Sequence, residues 1–200
     1  MNEPKKPKPF IDARPTLEKL AQFHPQLFGA RFLPLKVGIF EELLAAHPDA
    51  FTKPELKSAL AFHARSTRYL EAVATSGRRH DLQGEPVEDI APDHVHHAIM
   101  EVFKRRQLRS KEDLKPWVIS RLVAAIDASK LSRDDYIARV NAKDDEAFAL
   151  LQEAFGEIAA RVAKREALKR AFASSGKSVE EFADMYGMQP SDVRAAVTLP

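Results

Sequence analysis

Six cations fall within residues 53–79, namely Lys53, Lys57, Arg65, Arg68, Arg78 and Arg79, against only Glu55 and Glu71. They leave +4 on this stretch and −2 on the remainder of a chain whose formal net charge is +2. A local positive patch on a nearly neutral protein suits a defined anionic ligand better than diffuse polyanion binding. Thr52 and Glu55 have the spacing of a capping box, and Pro54 suits the first helical turn. The helix predicted to follow gathers Leu56, Ala59, Leu60, His63 and Leu70 on one side. Lys53, Lys57 and Arg68 lie within about 60° of one another on another side. Lys36 falls near the start of an earlier predicted helix, where a cation gains from the macrodipole only if an anion shares the site. Phosphate is an anion that the N–H groups after Thr52, the basic helical face, Arg78 and Arg79 can hold together. A solvated helix face accounts for the same charges and stands beside that reading.

These residues need elements to position them, and the composition favours helices. Of 200 residues, 44% are hydrophobic, 30% are charged and only 7 are glycine, which fits a soluble, mainly α protein of one or two domains. Residues 1–14, with three prolines and three lysines, predict a flexible basic arm. Leu17, Leu20, Ala21 and Phe23 predict a short helix ending near Pro25. Val37, Phe40, Leu43 and Leu44 make the inner face of a second, closed by His47-Pro48. After the basic helix, Gln83-Gly84 predicts a two-residue turn joining strands at 79–82 and 85–87, one short β-hairpin. Pro86 confines its second strand to an edge role. Asp93 is read as the cap of a helix burying Val95, Ala98, Ile99, Val102 and Phe103. That helix ends on Lys104, Arg105 and Arg106, where cations complement the dipole.

Further helices are expected over 114–128, after a Ser132/Asp135 cap, and as a long amphipathic helix over about 145–172. Ser178 and Glu181 predict another capping box, Gly187 a turn, and Ser191 a further cap. The expected division is the arm at 1–14, a helical domain at 15–112, and a helical C-terminal extension of unknown role at 113–200.

Zero cysteines exclude disulfides, thiol catalysis and Cys-ligated zinc. No apolar run approaches the ~18–20 residues of a membrane span, and no apolar stretch follows the N-terminal lysines as a secretory signal requires. A cytoplasmic location and no membrane partner follow as defaults. His94, His96 and His97 crowd together but lack the HExxH arrangement, and no phosphate-binding glycine loop, GxSxG elbow or paired-carboxylate motif is present. The chain is therefore not read as an enzyme, and no catalytic residue, metal or cofactor is expected. Near the C-terminus, Ala183, Gly187 and Val193 have the spacing of a DNA-binding helix-turn-helix. Its second helix offers the groove only Arg194 and brings Asp192 with it. A helical cap on the long helix or a protein-interaction module fits better, with a DNA-binding transcription regulator as the alternative.

Several segments together resemble the ProQ/FinO family of bacterial RNA chaperones. They are Pro34-Leu35-Lys36-Val37-Gly38-Ile39-Phe40, Leu56-Lys57-Ser58-Ala59-Leu60, Arg68-Tyr69-Leu70 and Arg79-His80-Asp81-Leu82-Gln83-Gly84, in the family's order and near its spacing. Asp93-His94-Val95 and His97-Ala98 continue the match, which covers about residues 17–107. The resemblance implies a compact helical domain with one hairpin. It also implies binding of structured RNA at the base of a terminator hairpin and its 3′ tail, stabilising small RNAs and assisting their pairing with messenger RNAs. By position, Lys36, Lys53, Lys57, Arg68, Tyr69 and Arg79 match the family's RNA-contacting face, and Asp81 matches a hairpin residue. Ala61 departs from the pattern, standing where a close relative has arginine, with Arg65 one turn on as partial compensation. Duplex RNA is recognised through shape, phosphates and 2′-hydroxyls rather than sequence. Lys53, Lys57 and Arg68 are accordingly expected to follow stem phosphates, and the N–H groups after Thr52 to receive a tail. Arg79 is expected to close over the 3′ end, and Tyr69 to stack on a terminal nucleotide or to belong to the core.

Overall fold

Leu20, Leu27, Leu43, Leu56 and Ala59 lose all contact with solvent, and the helices of the first half exist to bring such residues together. The computed structural model describes residues 11–142 and 144–198. The chain forms two units, one ending at Ala142 and one beginning at Lys143. Most of the predicted basic arm, residues 1–10, lies outside the described residues. Ile11 already belongs to the fold, since its carbonyl accepts a hydrogen bond from Ser58 Oγ at 3.3 Å.

In the first unit, α1 (Arg14–Phe23) and α2 (Pro25–Phe28) precede α3 (Ile39–Ala46), α4 (Lys53–Ala64) and α5 (Thr67–Ser76). Strands β1 (Arg78–His80) and β2 (Pro86–Asp89) follow, then α6 (Pro92–Gln107), α7 (Lys115–Ser129) and α8 (Arg133–Val140). The core joins Leu20 of α1, Leu43 of α3, Leu56 and Ala59 of α4, Leu70 and Val73 of α5, and Ala98 and Val102 of α6. Burial of this apolar set is the main stabilising term. Because α7 and α8 both pack on α6, the first unit runs 30 residues past the boundary expected at 112.

The basic helix predicted through residue 70 is two helices. Ser66 adopts an extended conformation (ψ 144°), and its hydroxyl accepts from Tyr69 N–H, which starts α5 afresh. Serine favours such a cap because its oxygen satisfies an N–H that has no helical partner. The break takes Arg68 off the row that Lys53 and Lys57 occupy. The hairpin has its expected order, with Arg79 opposite Glu88, but its loop is wider than two residues. Asp81 Oδ1 accepts from the N–H groups of both Gln83 and Glu85, and a bulge at Arg79/His80 absorbs the extra length. Asp93 does not cap α6. Ala91 holds that position, and Asp93 lies in the first turn, 3.4 Å from Arg139.

In the second unit, α9 (Asp145–Ser175) is followed by α10 (Val179–Tyr186) and α11 (Pro190–Thr198). Phe182, Ala183 and Val193 form a small core with Leu168 and Phe172 of α9. Ser178 and Glu181 make the reciprocal capping box, and Gly187 at φ 63° ends α10. Ser191 lies inside α11 rather than capping it. Among the described residues no helix is long and apolar enough to cross a membrane.

Three histidines tie the first unit together in their neutral form. His63 and His96 are buried, at 3% and 5% exposure, and burial pushes both down to about 4. His24 Nδ1 donates to Leu82 O at 3.1 Å, leaving its Nε2 to accept from His47 Nε2 at 3.0 Å, and burial lowers its pKa too. As pH falls below about 6.5 the unfolded chain takes up protons that the folded His63 and His96 refuse until about 4. Stability is therefore full above that range and declines through it, by an order of 2–3 kcal/mol for each fully buried ring. Thermal melts of the full chain at about pH 7.5 and 5 should show this loss, and the double variant His63→Phe/His96→Leu should shrink it. An equal loss in the double variant would contradict the assignment.

Candidate nucleic-acid interface

The expected site residues divide into an exposed row along α4 and a partly buried clamp beside the hairpin. Thr52 starts α4 by accepting from Glu55 N–H, and the Glu55 carboxylate returns to Thr52 N–H at 3.1 Å and to its hydroxyl at 2.6 Å. These bonds hold the Glu55 carboxyl below its ordinary pKa. Pro54 has no N–H to offer and Glu55 N–H is taken, so Lys53 N–H is what the first turn can present to an anion. From there Lys53, Lys57, Ala61 and Arg65 follow one another at four-residue steps, and all four are exposed. Residues so spaced lie on one edge of a helix about 6 Å apart. Lys53, Lys57 and Arg65 have no ion pair among the described residues. Ala61 interrupts the row's charge but not its line.

The clamp is built on the backbone of one residue. Leu35 N–H donates to Tyr69 Oη at 3.0 Å, and Leu35 O accepts from Arg79 Nη1 at 2.9 Å. On either side, His80 N–H donates to Pro34 O at 2.8 Å and Lys36 N–H to His80 O at 2.9 Å. Residues 34–36 thus run beside β1 as a short parallel rung. Tyr69 is 7% exposed, and burial raises its phenol pKa although the bond from Leu35 and the Arg79 guanidinium oppose the change. Its ring lies 5.0 Å from the buried His63 ring of α4, which connects the clamp to the basic row. The sequence left Tyr69 open between nucleotide stacking and core; the structure buries it, with its ring against His63 and its hydroxyl accepting from Leu35 N–H.

Arg79 keeps 15% of its side chain exposed. Its Nη2 donates to His94 Nδ1 at 2.8 Å, which requires the His94 proton on Nε2. Its Nε lies 3.9 Å from Glu88 Oε1, and that same carboxylate oxygen accepts from Val37 N–H at 3.0 Å. Lys36 Nζ is 2.5 Å from Glu42, which raises the lysine pKa, with Asp81 and Glu88 adding to the effect. The anion that Lys36 finds near the start of α3 is therefore internal.

Arg68 donates to Ala30 O and lies over the Phe32 ring at 4.5 Å, while Arg78 stands on the strand beside Asp89 at 3.5 Å. Three partners, Glu42, Glu88 and His94, were not anticipated. The hairpin register already places Glu88 opposite Arg79, whereas nothing local announces the Arg79–His94 contact across 15 residues. Replacing Tyr69 by phenylalanine leaves the buried Leu35 N–H without a partner. The expected cost is about 1–3 kcal/mol, measured by urea unfolding with helix content unchanged. A smaller change would mean that the 34–36 segment does not depend on this bond.

Comparisons with known proteins match the first part of the chain. The model of the ProQ/FINO family matches residues 11–115, just over half of the chain. The RNA chaperone ProQ of Idiomarina loihiensis is 34% identical over 119 residues, covering 58% of this chain and 55% of the relative. The chain therefore spans about half the length of that curated relative. The solution structure of a ProQ homolog from Legionella pneumophila matches with a TM-score of 0.41 at 24% identity, over 57% of this chain and 99% of the other. The clamp and the basic row both lie within the matched residues, and the chain belongs to the ProQ/FinO family.

Proposed function

We propose that this protein binds structured RNA through its first unit, gripping the base of a terminator hairpin and its 3′ tail. In doing so it stabilises small RNAs and assists RNA–RNA pairing in the cytoplasm. The observation that carries this is the clamp on Leu35, in which two side chains of the family pattern, Tyr69 and Arg79, hold the N–H and C=O of one residue beside a bare basic row. Membership of the family and the name of its Idiomarina relative, an RNA chaperone, point the same way.

The roles divide by exposure. Lys53, Lys57 and Arg65 meet stem phosphates as mobile point charges, the form of contact that suits duplex RNA. Arg79 is held in place by Leu35 O and His94, so its remaining N–H donors are held in a fixed orientation and lose little freedom on binding a tail. Tyr69 acts by positioning residues 34–36, and Arg68 by bracing the loop that contains Ala30 and Phe32. In the second unit, the one arginine of α11, Arg194, is paired with Glu180, which leaves a DNA-reading helix without a free cation to place on a base. A partner-binding or capping role suits that unit better.

Measured on the full chain, Arg79→Ala is expected to weaken binding to a hairpin with a free 3′ tail by about tenfold, the loss of one charge-assisted contact. Binding to the same hairpin with a blocked tail should hardly change. Equal loss on both RNAs would remove Arg79 from the tail. Lys53→Ala and Lys57→Ala are each expected to lower the slope of log affinity against log salt by about one unit or less. Slopes identical to the wild type would take α4 off the RNA.

A further inference from the structure

Cations and carboxylates are distributed unevenly over the proposed interface. Along α4 the cations are bare, but around the clamp Lys36 and Arg79 are met by Glu42, Asp81 and Glu88. Three acidic groups against two basic ones make the pocket itself a poor attractor of phosphate. Two of the three are committed elsewhere. Asp81 is tied into the hairpin loop by two backbone N–H groups, and Glu42 holds Lys36 at 2.5 Å. Glu88 is different: 42% of its side chain is exposed, and it stands 3.9 Å from Arg79 Nε, beyond hydrogen-bond distance. It accepts from a backbone N–H beside the clamp, that of Val37 at 3.0 Å.

We propose that Glu88 is a built-in competing anion, its carboxylate filling the position between Val37 N–H and Arg79 that a phosphate of the RNA 3′ tail takes on binding. This rests on the RNA-binding reading above and adds to it a residue that sets affinity and discrimination. A tail phosphate, not tethered to β2, outcompetes the Glu88 carboxylate because it can place one oxygen on Val37 N–H and the other within hydrogen-bond distance of Arg79, whereas Glu88 holds Val37 N–H but stays 3.9 Å from Arg79 Nε. A neutral or poorly matched end cannot, and leaves Glu88 in place. Binding is then a two-stage exchange. The bare cations of α4 collect the stem at long range, and the tail phosphate displaces Glu88 only when it reaches the clamp.

Two variants of the full chain test this. Glu88→Gln keeps an acceptor for Val37 N–H and removes the charge, so the fold is retained while the competition is lost. It should bind a tailed hairpin about two- to fivefold more tightly than the wild type at low salt, the scale of one exposed charge interaction. The gain should vanish at high salt and with a tail-blocked hairpin. Glu88→Ala vacates the position. Titration with inorganic phosphate, followed by the NMR signal of the Val37 amide, should then shift that signal at concentrations that leave the wild type unmoved. If Arg79→Ala weakens tail binding but Glu88→Gln binds as the wild type does, the assignment of Glu88 is overturned and the RNA reading stands. If phosphate moves the Val37 amide in Glu88→Ala but no RNA binds, the anion position stands and the RNA reading falls. A Val37 amide that ignores phosphate in both proteins overturns the anion position.

Discussion

The backbone of Leu35 is the point on which the clamp depends. It is buried at 6% exposure, and both its polar groups must be satisfied by protein. They are satisfied by side chains, not by secondary structure: the phenol of Tyr69 from α5 and the guanidinium of Arg79 from β1. A buried N–H or C=O without a partner is costly, so these two bonds specify one arrangement of three separate segments. The rung formed by Pro34, Lys36 and His80 then follows, and with it the placing of Lys36 and Val37 next to Glu88 and Arg79. Gly38, at φ 86°, lets the chain turn at once from that rung into α3.

A second feature is the use of aromatic and imidazole rings where a core usually has aliphatic ones. His63 sits between Phe28, Phe32 and Tyr69, with ring centroids 4.8, 4.3 and 5.0 Å away. Arg68 covers Phe32 from outside. This stack links α4, which carries the bare lysines, to α5, which carries Tyr69. The basic row and the clamp are thereby held at a set separation, as recognition of a ligand of defined shape would require. The hairpin loop is anchored from the other side by His24, through Leu82 O, and His24 is in turn bonded to His47 at the end of α3.

The electrostatic pattern is more economical than net charge suggests. A formal charge of +2 conceals a row of exposed cations on α4 and a clamp in which the charges are balanced or slightly acidic. Unpaired and paired cations are thus carried by different elements. In the second unit, the small core of Phe182, Ala183 and Val193 closes the end of α9, and its one capping box and left-handed glycines follow local rules.

Much of this protein is determined by the sequence alone. Capping boxes at Thr52 and Ser178, the cap at Ser132, the hairpin order and the inward faces of α1, α6 and α7 all follow from interactions within a few residues. The family pattern then identifies Lys36, Lys53, Lys57, Arg68, Tyr69 and Arg79 as a set. Tertiary structure decided where each of them stands and what it touches. Local periodicity could not show that α4 stops at Ala64, because Ser66 also suits an exposed helical position until its hydroxyl takes Tyr69 N–H. Nor could it show that Tyr69 turns inward, since the partner of its hydroxyl lies 34 residues away, or that His94 orients Arg79. These are contacts between segments distant in the chain, and only packing brings the segments together.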